Sequence, residues 1–471
     1  MAHLKLFAIA VLIFLGACST RPVIRPPQAL SARPPIFRPQ VTMQVTMPPN
    51  PALLVATGGQ LGRAPVTTDD KVPVLAAPTT TTTTYDVDAK VIGAVLPLTG
   101  KNASTGQHAL NALKMGLEVY KNDSKFRLAV FDSQSLPALA AEGARKLVVT
   151  DKAIVLFGGF TAKEAWALAA SAEELKTPYI GFSQKTGLTE LGSFVFRNAV
   201  TPEMQADKLV QFAFNKLSAK KFAILFPNDT YGIEFSNVFW DHVLARGGEV
   251  TAAQTYDPKE TNFSSVVQKL TGTYHTEARA GEYKELLQEV KAKKAGLAKK
   301  PIKKNLRERV FEDVVLPPIV DFDVLFVPDN SRALGQIMAF MKYNEVPAIT
   351  YLGTNIWSST DLPKRATSPL ARIYFVDALE ASASSTDFFK NYLQLYNEEP
   401  SLVDMQIYEA VTIIKNLLIS GISTRSELAD NLRTLGRSPG VTGELRMSTQ
   451  RELERPIHVL TLDSGYVKKT E

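Results

Sequence analysis

The chain of 471 residues contains a single cysteine, Cys18, and five histidines. One cysteine cannot form a disulfide within the chain, and it excludes the multi-cysteine clusters that hold structural zinc. Beyond the N-terminal segment the remaining histidines, His108, His242, His275 and His458, lack metal-ligand spacing to one another. Walker and dinucleotide-binding glycine motifs are also absent from the sequence. The sequence therefore predicts no metal centre, no cofactor and no catalytic thiol.

Two catalytic motifs are nearly matched in the stretch 179–188, YIGFSQKTGL. A nucleophile elbow around Ser183 needs a second glycine two residues after the serine, but position 185 is lysine. The letters KTG at 185–187 occur in serine enzymes that act on cell-wall peptides, in which a Ser-x-x-Lys motif comes earlier. Here the candidate, 218–221, comes later, and no SDN motif accompanies it. We therefore expect Ser183 to line a site, and we expect the protein not to be an enzyme.

The N-terminal segment predicts export. Residues 1–17 contain Lys5 followed by an apolar run over 6–15, which is too short to span a bilayer at about 20 residues. The run ends in LGAC at 15–18, which resembles the lipobox of bacterial lipoproteins. The alternative is an ordinary signal peptide whose cleavage site includes a cysteine. The resemblance implies lipid attachment at Cys18, and Ser19, in place of a retaining aspartate, implies the periplasmic face of the outer membrane.

Residues 18–88 predict a disordered linker. They contain proline clusters such as Arg25-Pro26-Pro27 and a threonine run over 79–84, without helical periodicity. Such a segment cannot bury enough apolar surface to offset the entropy lost on ordering. As a flexible coil it would hold the following domain roughly 45 to 50 Å from the membrane.

The region 89–471 alternates short apolar strands with amphipathic helices. Strands are predicted over 91–96, 127–131, 153–157, 179–182, 222–226, 249–255, 324–327, 348–352 and 373–376. Helices are predicted over 106–120, 136–149, 161–175, 202–217, 231–246, 262–270, 331–343 and 404–419. This alternation predicts an α/β fold with parallel sheets covered on both faces, in a chain long enough for two lobes. In such sheets ligands bind beyond the carboxyl ends of the strands.

A candidate ligand-binding turn follows the third predicted strand. Gly158 and Gly159 lead to Thr161 and Glu164, which have the spacing of a capping box. Glycines beside a helix start give a ligand carboxylate access to free backbone amides and to the positive end of the helix dipole. A plain strand-to-helix turn explains the same residues equally well.

Further motifs occur in a fixed order along the chain. They are VIGAVLPLTG at 91–100, FGG at 157–159, PYIGFSQKT at 178–186, NDTYG at 228–232, LGTN at 352–355, IYEA at 407–410 and GVTGEL at 440–445. Together they resemble the type I periplasmic binding proteins of the leucine/isoleucine/valine-receptor kind. The resemblance implies two Rossmann-like lobes joined by three crossovers that close on a ligand. Lobe one would hold about 89–200 plus 376–430, and lobe two about 201–375 plus 431–465.

The resemblance also implies ligand-binding positions. In the family, hydroxyls after the third and fourth strands bind an amino acid's carboxylate, and a Tyr-Gly pair packs on the ligand from the second lobe. An acidic residue that meets the ligand's ammonium aligns here near position 355, which is asparagine. The implied set is Thr161, Ser183, Thr186, Tyr231 and Asn355.

Asn355 is a departure from the family pattern. An ammonium buried in a closed cleft without a charged partner costs several kcal/mol. Gln184 and Lys185 also stand where the receptors usually have small residues. We therefore expect weak binding of zwitterions, with an anionic ligand, or none, as the alternative.

A basic insertion at 272–320 is a second departure. Within 284–309, ten Lys and Arg stand against three Glu, a net charge of +7. Helices are predicted over 282–290 and 305–314, either as a solvated hairpin or as a surface that attracts an acidic partner, a phosphate-rich membrane face or an anionic cell-wall polymer. The partner-binding candidates are Lys291, Lys293, Lys294, Lys303 and Lys304.

Anchor, linker, fold and insertion together resemble the penicillin-binding protein activator branch of this superfamily. The resemblance implies a lipoprotein that regulates a peptidoglycan synthase, with a penicillin-binding protein or peptidoglycan as partner and without nucleic acid. The alternative is a substrate-binding receptor for an amino acid or small peptide that serves an ABC importer.

Overall fold

The computed structural model describes residues 85–121, 124–297, 316–366, 371–379 and 386–470, with the side chains of 293–297 excepted. Cys18, the signal segment and the linker up to residue 84 therefore lie outside the described residues. In the described ranges, no helix is long and apolar enough to cross a bilayer.

Lobe one is built on a five-stranded parallel sheet with strand order β2-β1-β3-β4-β5. Strand β3 is buried along its whole length, because helices cover both faces of the sheet. The elements are β1 Asp88–Leu96, α1 Ala103–Leu117, β2 Arg127–Asp132, α2 Pro137–Val149, β3 Ala153–Gly158, α3 Ala162–Glu174, β4 Tyr179–Gly181 and β5 Val195–Arg197.

Lobe two follows, and its first elements are α4 Pro202–Lys216, β6 Lys221–Pro227, α5 Thr230–Ala245, β7 Glu249–Tyr256, α6 Ser264–Leu270 and α7 Ala280–Leu297. It continues with β8 Val324–Phe326, α8 Ser331–Tyr343, β9 Thr350–Gly353, α9 Leu362–Arg365 and β10 Arg372–Asp377. Its sheet has seven strands in the order β15-β14-β10-β9-β8-β6-β7, in which β14 pairs antiparallel with β10 and β15 pairs antiparallel with β14.

The C-terminal segment, residues 386–470, returns to lobe one and then to lobe two. Helices α10 Asp387–Tyr396, α11 Leu402–Ile419 and α12 Arg425–Arg433 pack into the core of lobe one. A small antiparallel sheet follows, made of β11 Ser438–Gly440, β12 Gly443–Met447 and β13 Leu453–Glu454, before β14 His458–Asp463 and β15 Tyr466–Lys469. The chain thus passes between the lobes at 198–201, after Asp377 and at 455–457.

The sheet β11-β12-β13 corrects one expectation. The sequence assigned 431–465 to lobe two, but Leu445 and Leu453 are buried in the core of lobe one with Ile92 and Phe157. The strands have two to five residues, too few to show which core they enter. Only β14 and β15 of this region join the second sheet.

Most predicted elements are present. Outside the insertion, each predicted strand and helix is found with its ends within three residues of the expected positions. Helix starts coincide with side-chain caps, such as the capping box of Ser401 and Asp404 at α11 and the Asn330 cap at α8. Where such a cap is present, it marks where the apolar helical pattern begins. The helices α1, α2, α6 and α9 begin without a side-chain cap.

One of the two helices expected in the insertion is described. It is α7, and the second, expected at 305–314, lies outside the described residues. Arg279, just before α7, is buried and donates to the backbone oxygen of Pro317 at 2.8 Å. It also pairs with Glu282 at 2.6 Å. Arg279 therefore joins the two ends of the insertion to each other.

Candidate functional site

The two lobes face each other with the carboxyl ends of their parallel strands. Thr161 follows β3, and the turn 183–187 follows β4, both in lobe one. Tyr231 lies in the first turn of α5, after β6, and Asn355 follows β9, both in lobe two. The predicted ligand-binding residues thus come from the edges at which α/β sheets bind ligands.

Thr161 is the N-cap of α3. Its Oγ1 accepts a hydrogen bond from the backbone N of Glu164 at 3.4 Å, which is one half of the expected capping box. The Glu164 carboxylate is fully buried and accepts a hydrogen bond from Ser133 of the neighbouring loop. Burial raises the pKa of Glu164, while the hydrogen bond from Ser133 opposes that shift. Thr161 therefore has a structural role whether or not a ligand binds.

The glycines before Thr161 are explained by close packing. Gly158 has φ +149°, and a Cβ at this position would lie 2.1 Å from the backbone oxygen of Val95. Gly159 has φ +73°, and its Cβ would lie 2.2 Å from the Tyr179 hydroxyl. Both positions exclude a side chain for steric reasons inside lobe one. A plain strand-to-helix turn therefore explains both glycines, and a ligand-binding role is not needed to account for them.

Ser183 is buried in the turn after β4. Its Oγ accepts a hydrogen bond from the backbone N of Lys185 at 3.2 Å, so the hydroxyl stabilises the turn. Arg197, at the end of β5, donates to the backbone oxygens of Gln184 and Lys185 and pairs with Glu452. These contacts fix the backbone of the turn that presents Thr186.

An ion pair joins the lobes at this turn. Lys185 Nζ of lobe one lies 3.1 Å from Glu234 Oε2 of α5, and the two side chains are only 13% and 12% exposed. The other oxygen of Glu234 accepts a hydrogen bond from the backbone N of Thr186 at 2.7 Å. Glu234 is therefore held by two donors that both belong to the opposite lobe.

Tyr231 and Asn355 are connected through Thr354. The hydroxyls of Tyr231 and Thr354 lie 2.9 Å apart, and the backbone N of Asn355 donates to Gln205 Oε1 at 2.9 Å. Burial raises the pKa of the Tyr231 hydroxyl well above its usual value, so the group remains neutral. The structure thus brings these two predicted residues to one wall of lobe two.

Several buried polar atoms near the site have no hydrogen-bond partner within the described part of the chain, among them Glu164 Oε2 and Arg197 Nε. Two of these atoms belong to residues of the predicted ligand-binding set. They are Thr186 Oγ1 in lobe one and Asn355 Oδ1 in lobe two. Buried polar groups in native proteins almost always find a partner in protein, water or ligand.

A partly buried carboxyl group also supports lobe two near this wall. Asp329, after β8, accepts a hydrogen bond from the Tyr256 hydroxyl at 2.7 Å, and its backbone oxygen accepts from Trp357 Nε1 at 2.6 Å. Burial raises the pKa of Asp329. Its contacts are to the fold, which identifies it as a support of the wall.

A buried polar network fastens the crossovers to lobe one. Arg455, between β13 and β14, donates to Glu409 of α11 at 2.7 Å and to Thr442 Oγ1 at 3.0 Å. It also donates to the side-chain oxygen of Asn198, in the first crossover. Two of the three passages between the lobes therefore meet at one ion pair.

Sequence reasoning missed Glu234. The available signal was its spacing, since Glu234 lies three residues after Tyr231 on α5 and so shares a helix face with it. Nothing in the sequence placed that face against the turn 183–187.

The predicted lysine surface is described only in part. Lys291 is exposed on α7, and Lys293 and Lys294 belong to the same helix without described side chains. Lys303, Lys304 and Cys18 lie outside the described residues. No cluster of three or more His, Cys, Asp or Glu side chains suited to a metal ion occurs among the residues that were placed.

Comparison with known proteins finds similarity to periplasmic and amino acid binding proteins. Residues 91–273 match the family model described as a periplasmic binding protein. An amino acid binding protein from Pseudomonas aeruginosa is 27% identical over 187 residues, which are 38% of this chain and 50% of that relative. The match thus spans half the length of the curated relative.

Solved structures share the fold over most of both chains. The leucine binding protein LivK from Thermotoga maritima has a TM-score of 0.56 and 16% identity, over 81% of this chain and 97% of its own. LivJ from Streptococcus pneumoniae, in complex with isoleucine, has a TM-score of 0.56 and 19% identity, over 82% and 99%. A solute binding protein from Rhodopseudomonas palustris, in complex with 3,4-dihydroxybenzoic acid, has a TM-score of 0.55 and 18% identity, over 80% of this chain and 95% of its own. At these identities the likeness concerns the fold alone.

Proposed function

Since the chain has the fold of the type I periplasmic binding proteins, we propose that it is a receptor that captures a small carboxylate-bearing ligand between its lobes. The bound molecules named in two similar structures, isoleucine and 3,4-dihydroxybenzoic acid, both carry a carboxylate. The proposal is binding without chemical conversion, because the hydroxyl of Ser183 is engaged in its own turn.

The observation that carries this proposal is the pair of buried polar atoms without partners, Thr186 Oγ1 and Asn355 Oδ1. They come from opposite lobes, and Thr186 lies beside the donors that hold the Glu234 carboxylate. A ligand with polar groups at both ends would supply the missing partners. A purely apolar ligand would leave them unsatisfied.

The test is a binding measurement on the full chain, purified in detergent. Each of the twenty amino acids, and benzoate, is added in turn while heat unfolding and titration calorimetry are recorded. We expect at least one compound to bind with 1:1 stoichiometry and, at 100 times its Kd, to stabilise the fold by about 2.7 kcal/mol. If none of these compounds binds at millimolar concentration, the receptor function is wrong.

A matched pair of variants locates the site. Tyr231→Ala removes a side chain from the wall of lobe two and should weaken binding at least about tenfold. Tyr343→Ala removes a tyrosine of the same lobe that is 77% exposed and far from this wall, and should leave binding unchanged. Equal effects of the two variants would place the ligand elsewhere.

We further propose that the receptor is anchored by acyl chains on Cys18 at the periplasmic face of the outer membrane. Support comes from the sequence around Cys18 and from Ser19 after it. Cys18→Ser removes the thiol that would carry the acyl chain. In cell fractionation the variant should therefore no longer be found in the outer-membrane fraction. Unchanged sedimentation with the outer membrane would count against the anchor.

The sequence also favoured regulation of a peptidoglycan synthase. The similar proteins are described as amino acid or solute binding proteins, which supports the receptor alternative more than that function. A synthase or peptidoglycan partner stays a prediction. Crosslinking in intact cells, with residues 291–309 deleted as a control, tests it.

A further inference from the structure

A groove of about 740 Å³ lies on lobe two, away from the candidate site. Its walls come from the C-terminal ends of α6 and α8, the first turn of α7 and two prolines of the segment that leads to β8. Helices α6 and α8 each follow a parallel strand and run back along the sheet, so they end at the edge opposite to the carboxyl ends of the strands. The groove therefore lies at the far end of lobe two from the cleft between the lobes.

The walls of the groove are held together by hydrogen bonds. Arg279 is buried and donates to the backbone oxygen of Gly272 at 3.4 Å and to that of Pro317 at 2.8 Å. The backbone N of Ile319 donates to the oxygen of Thr271 at 2.8 Å. The segment that contains Pro317 is therefore fixed beside the end of α6 by the chain itself.

The side chains of the groove are aromatic and acidic. Tyr283 and Tyr343 both line it and are 38% and 77% exposed, so both rings are accessible to a partner. Glu277 and Glu345 also line it, and neither carboxylate forms an ion pair with another residue of the described ranges. Lys291 of the basic surface lies about 12 Å farther along α7 than Tyr283. The groove therefore suits a partner that combines positive charge with apolar surface.

The chain itself contains a segment with these properties. Residues 18–68 include five arginines and neither aspartate nor glutamate. Two of these arginines, Arg33 and Arg38, lie in the stretch 33–39, which reads RPPIFRP. Proline-rich stretches favour the extended polyproline II helix, which loses little entropy on binding, and they bind grooves lined by aromatic side chains. Arginines form charge-assisted hydrogen bonds with carboxylates at the rim of such a groove.

We propose that residues 33–39 bind in this groove of the same molecule. The apolar residues of the stretch pack on Tyr283 and Tyr343, and Arg33 and Arg38 pair with the two carboxylates of the groove. The proposal goes beyond the receptor function and does not depend on it, because the groove and the cleft lie at opposite ends of lobe two.

The chain is long enough for this contact. Arg425 donates to the backbone oxygens of Tyr85 and Asp86, both at 2.9 Å, and so fixes the end of the linker on lobe one. The chain advances 48 residues from Phe37 to Tyr85 (85 minus 37), which span up to about 160 Å when extended. A segment on a flexible linker has an effective concentration on the order of a millimolar, so a contact with a Kd of about 0.1 mM forms in most molecules.

Binding of this stretch shortens the tether. Only 15 residues (33 minus 18) then separate Cys18 from the bound stretch. As a flexible coil they hold lobe two roughly 20 Å from the membrane. Release of the stretch restores the full reach of the linker. This consequence, unlike the contact itself, rests on the proposed anchor at Cys18.

Photocrosslinking on the full chain, purified in detergent, tests the contact. The photoreactive amino acid p-benzoylphenylalanine replaces Phe37, and the products of illumination are mapped by mass spectrometry. The crosslinks should join position 37 to residues 273–283 or 343–345 of the same molecule. The same label in place of Tyr283 should crosslink to residues 33–39.

Variants of exposed tyrosines show whether the groove is specific. Tyr283→Ser together with Tyr343→Ser should reduce the crosslink yield from position 37 at least about tenfold, because aromatic anchors dominate such interfaces. Tyr466→Ser is the matched control, since it removes a tyrosine that is 76% exposed on β15 of the same lobe. The control should leave the yield unchanged.

Charge reversal tests the pairing of the arginines. Glu277→Lys with Glu345→Lys should reduce the crosslink yield at least about threefold, because like charges then meet at the groove. Arg33→Glu with Arg38→Glu should have the same effect. All four changes in one chain should restore most of the yield, because opposite charges face each other again.

Several results would overturn the proposal. Crosslinks from position 37 to other surfaces, or no crosslink in either direction, would show that the stretch does not bind the groove. Crosslinks that join two molecules would show that the groove receives a second copy of the chain instead of its own linker. An equal loss of yield in Tyr466→Ser would remove the role of the two groove tyrosines. A low yield in the chain with all four charge changes would show that the arginines do not pair with these carboxylates.

Discussion

Arg455 and Glu409 form an ion pair in which neither side chain is accessible to water. Their side chains are 0% and 1% exposed, and Arg455 Nη1 donates to Glu409 Oε2 at 2.7 Å. The other oxygen of Glu409 accepts from the backbone N and hydroxyl of Thr442. Burial lowers the pKa of Arg455, whereas the Glu409 carboxylate opposes that shift. The pair therefore depends on each partner to keep the other charged.

Glu409→Ala should destabilise the protein strongly. It leaves a buried guanidinium without its counter-charge, a loss of about 3 to 5 kcal/mol. Glu444→Ala, which breaks an exposed pair with Arg437, should cost less than about 1 kcal/mol. Urea unfolding measures both. Similar losses of unfolding free energy in the two variants would show that the buried pair contributes no more stability than the exposed pair.

Replacing both partners tests the same relationship from the other side. Glu409→Leu combined with Arg455→Met removes both charges, so it should cost less than the sum of the single changes by about 1 kcal/mol or more. Additive losses would show that the two side chains are not coupled.

Asp377 should make the stability depend on pH. It lies at the end of β10, where the chain leaves lobe two, and is 2% exposed. Burial raises its pKa to about 6, against the opposing hydrogen bonds from Ser358 and from the backbone of Leu379 and Ala378. Between pH 4 and pH 6 the folded state then binds more protons than the unfolded state, so the free energy of unfolding falls as pH rises.

The comparison with Asp377→Asn isolates this effect. The stability of the wild-type protein relative to the variant should fall by up to about 3 kcal/mol between pH 4 and pH 6, and should be constant above pH 7. Asp463→Asn is the control, because the Lys468 hydrogen bond lowers the pKa of the exposed Asp463. For this variant the stability of the wild-type protein relative to the variant should rise, not fall, as pH rises through the acidic range. A constant difference for Asp377→Asn across the whole range would contradict the prediction.

Gly158→Ala should destabilise lobe one. A methyl group there would lie 2.1 Å from the backbone oxygen of Val95, which has no room to move inside the sheet, and φ is +149°. We expect a loss of at least about 2 kcal/mol. Gly281→Ala, in α7 with no atom within 4 Å of the added methyl group, should be neutral or slightly stabilising. Thermal unfolding of the two variants gives the comparison.

The central elements could be predicted because their patterns are local. Strand β3 is a continuous apolar run buried on both faces, and α11 begins at a capping box that is visible in the sequence. The strands β5 and β11 were not predicted: β11 contains Pro439 and Gly440, which disfavour a strand, and β5 is a three-residue segment that ends at Arg197. Their positions depend on distant contacts, such as the backbone hydrogen bond from Arg197 to Arg451.

The candidate site was predicted less completely, for a similar reason. Thr186 and Tyr231 could be placed because each follows a predicted strand, at the edge where ligands bind. Glu234 looks in sequence like an ordinary helical residue, since its contacts to Lys185 and Thr186 span about fifty residues and two lobes. The sequence showed glycines at 158 and 159, but not the reason for them. The atoms that exclude a side chain there belong to Val95 and Tyr179, which lie in other strands.

Thr186→Val separates a ligand-binding role from a folding role. The Thr186 hydroxyl is buried without a partner, so its replacement by a methyl group of similar shape should leave the ligand-free protein as stable as before, or slightly more stable. The backbone N of Thr186 still donates to Glu234 in this variant. Ligand affinity should fall about five- to tenfold, the value of roughly one hydrogen bond.

Thr442→Val is the matched control, because the hydroxyl of Thr442 contacts both Glu409 and Arg455. It should lose about 1 to 3 kcal/mol of stability, since the substitution leaves charged partners incompletely satisfied. Calorimetric titration measures the ligand affinity of each variant, and urea unfolding measures its free energy of unfolding. If Thr186→Val is destabilised as much as Thr442→Val, its hydroxyl serves the fold; if its affinity is unchanged, the ligand does not reach residue 186.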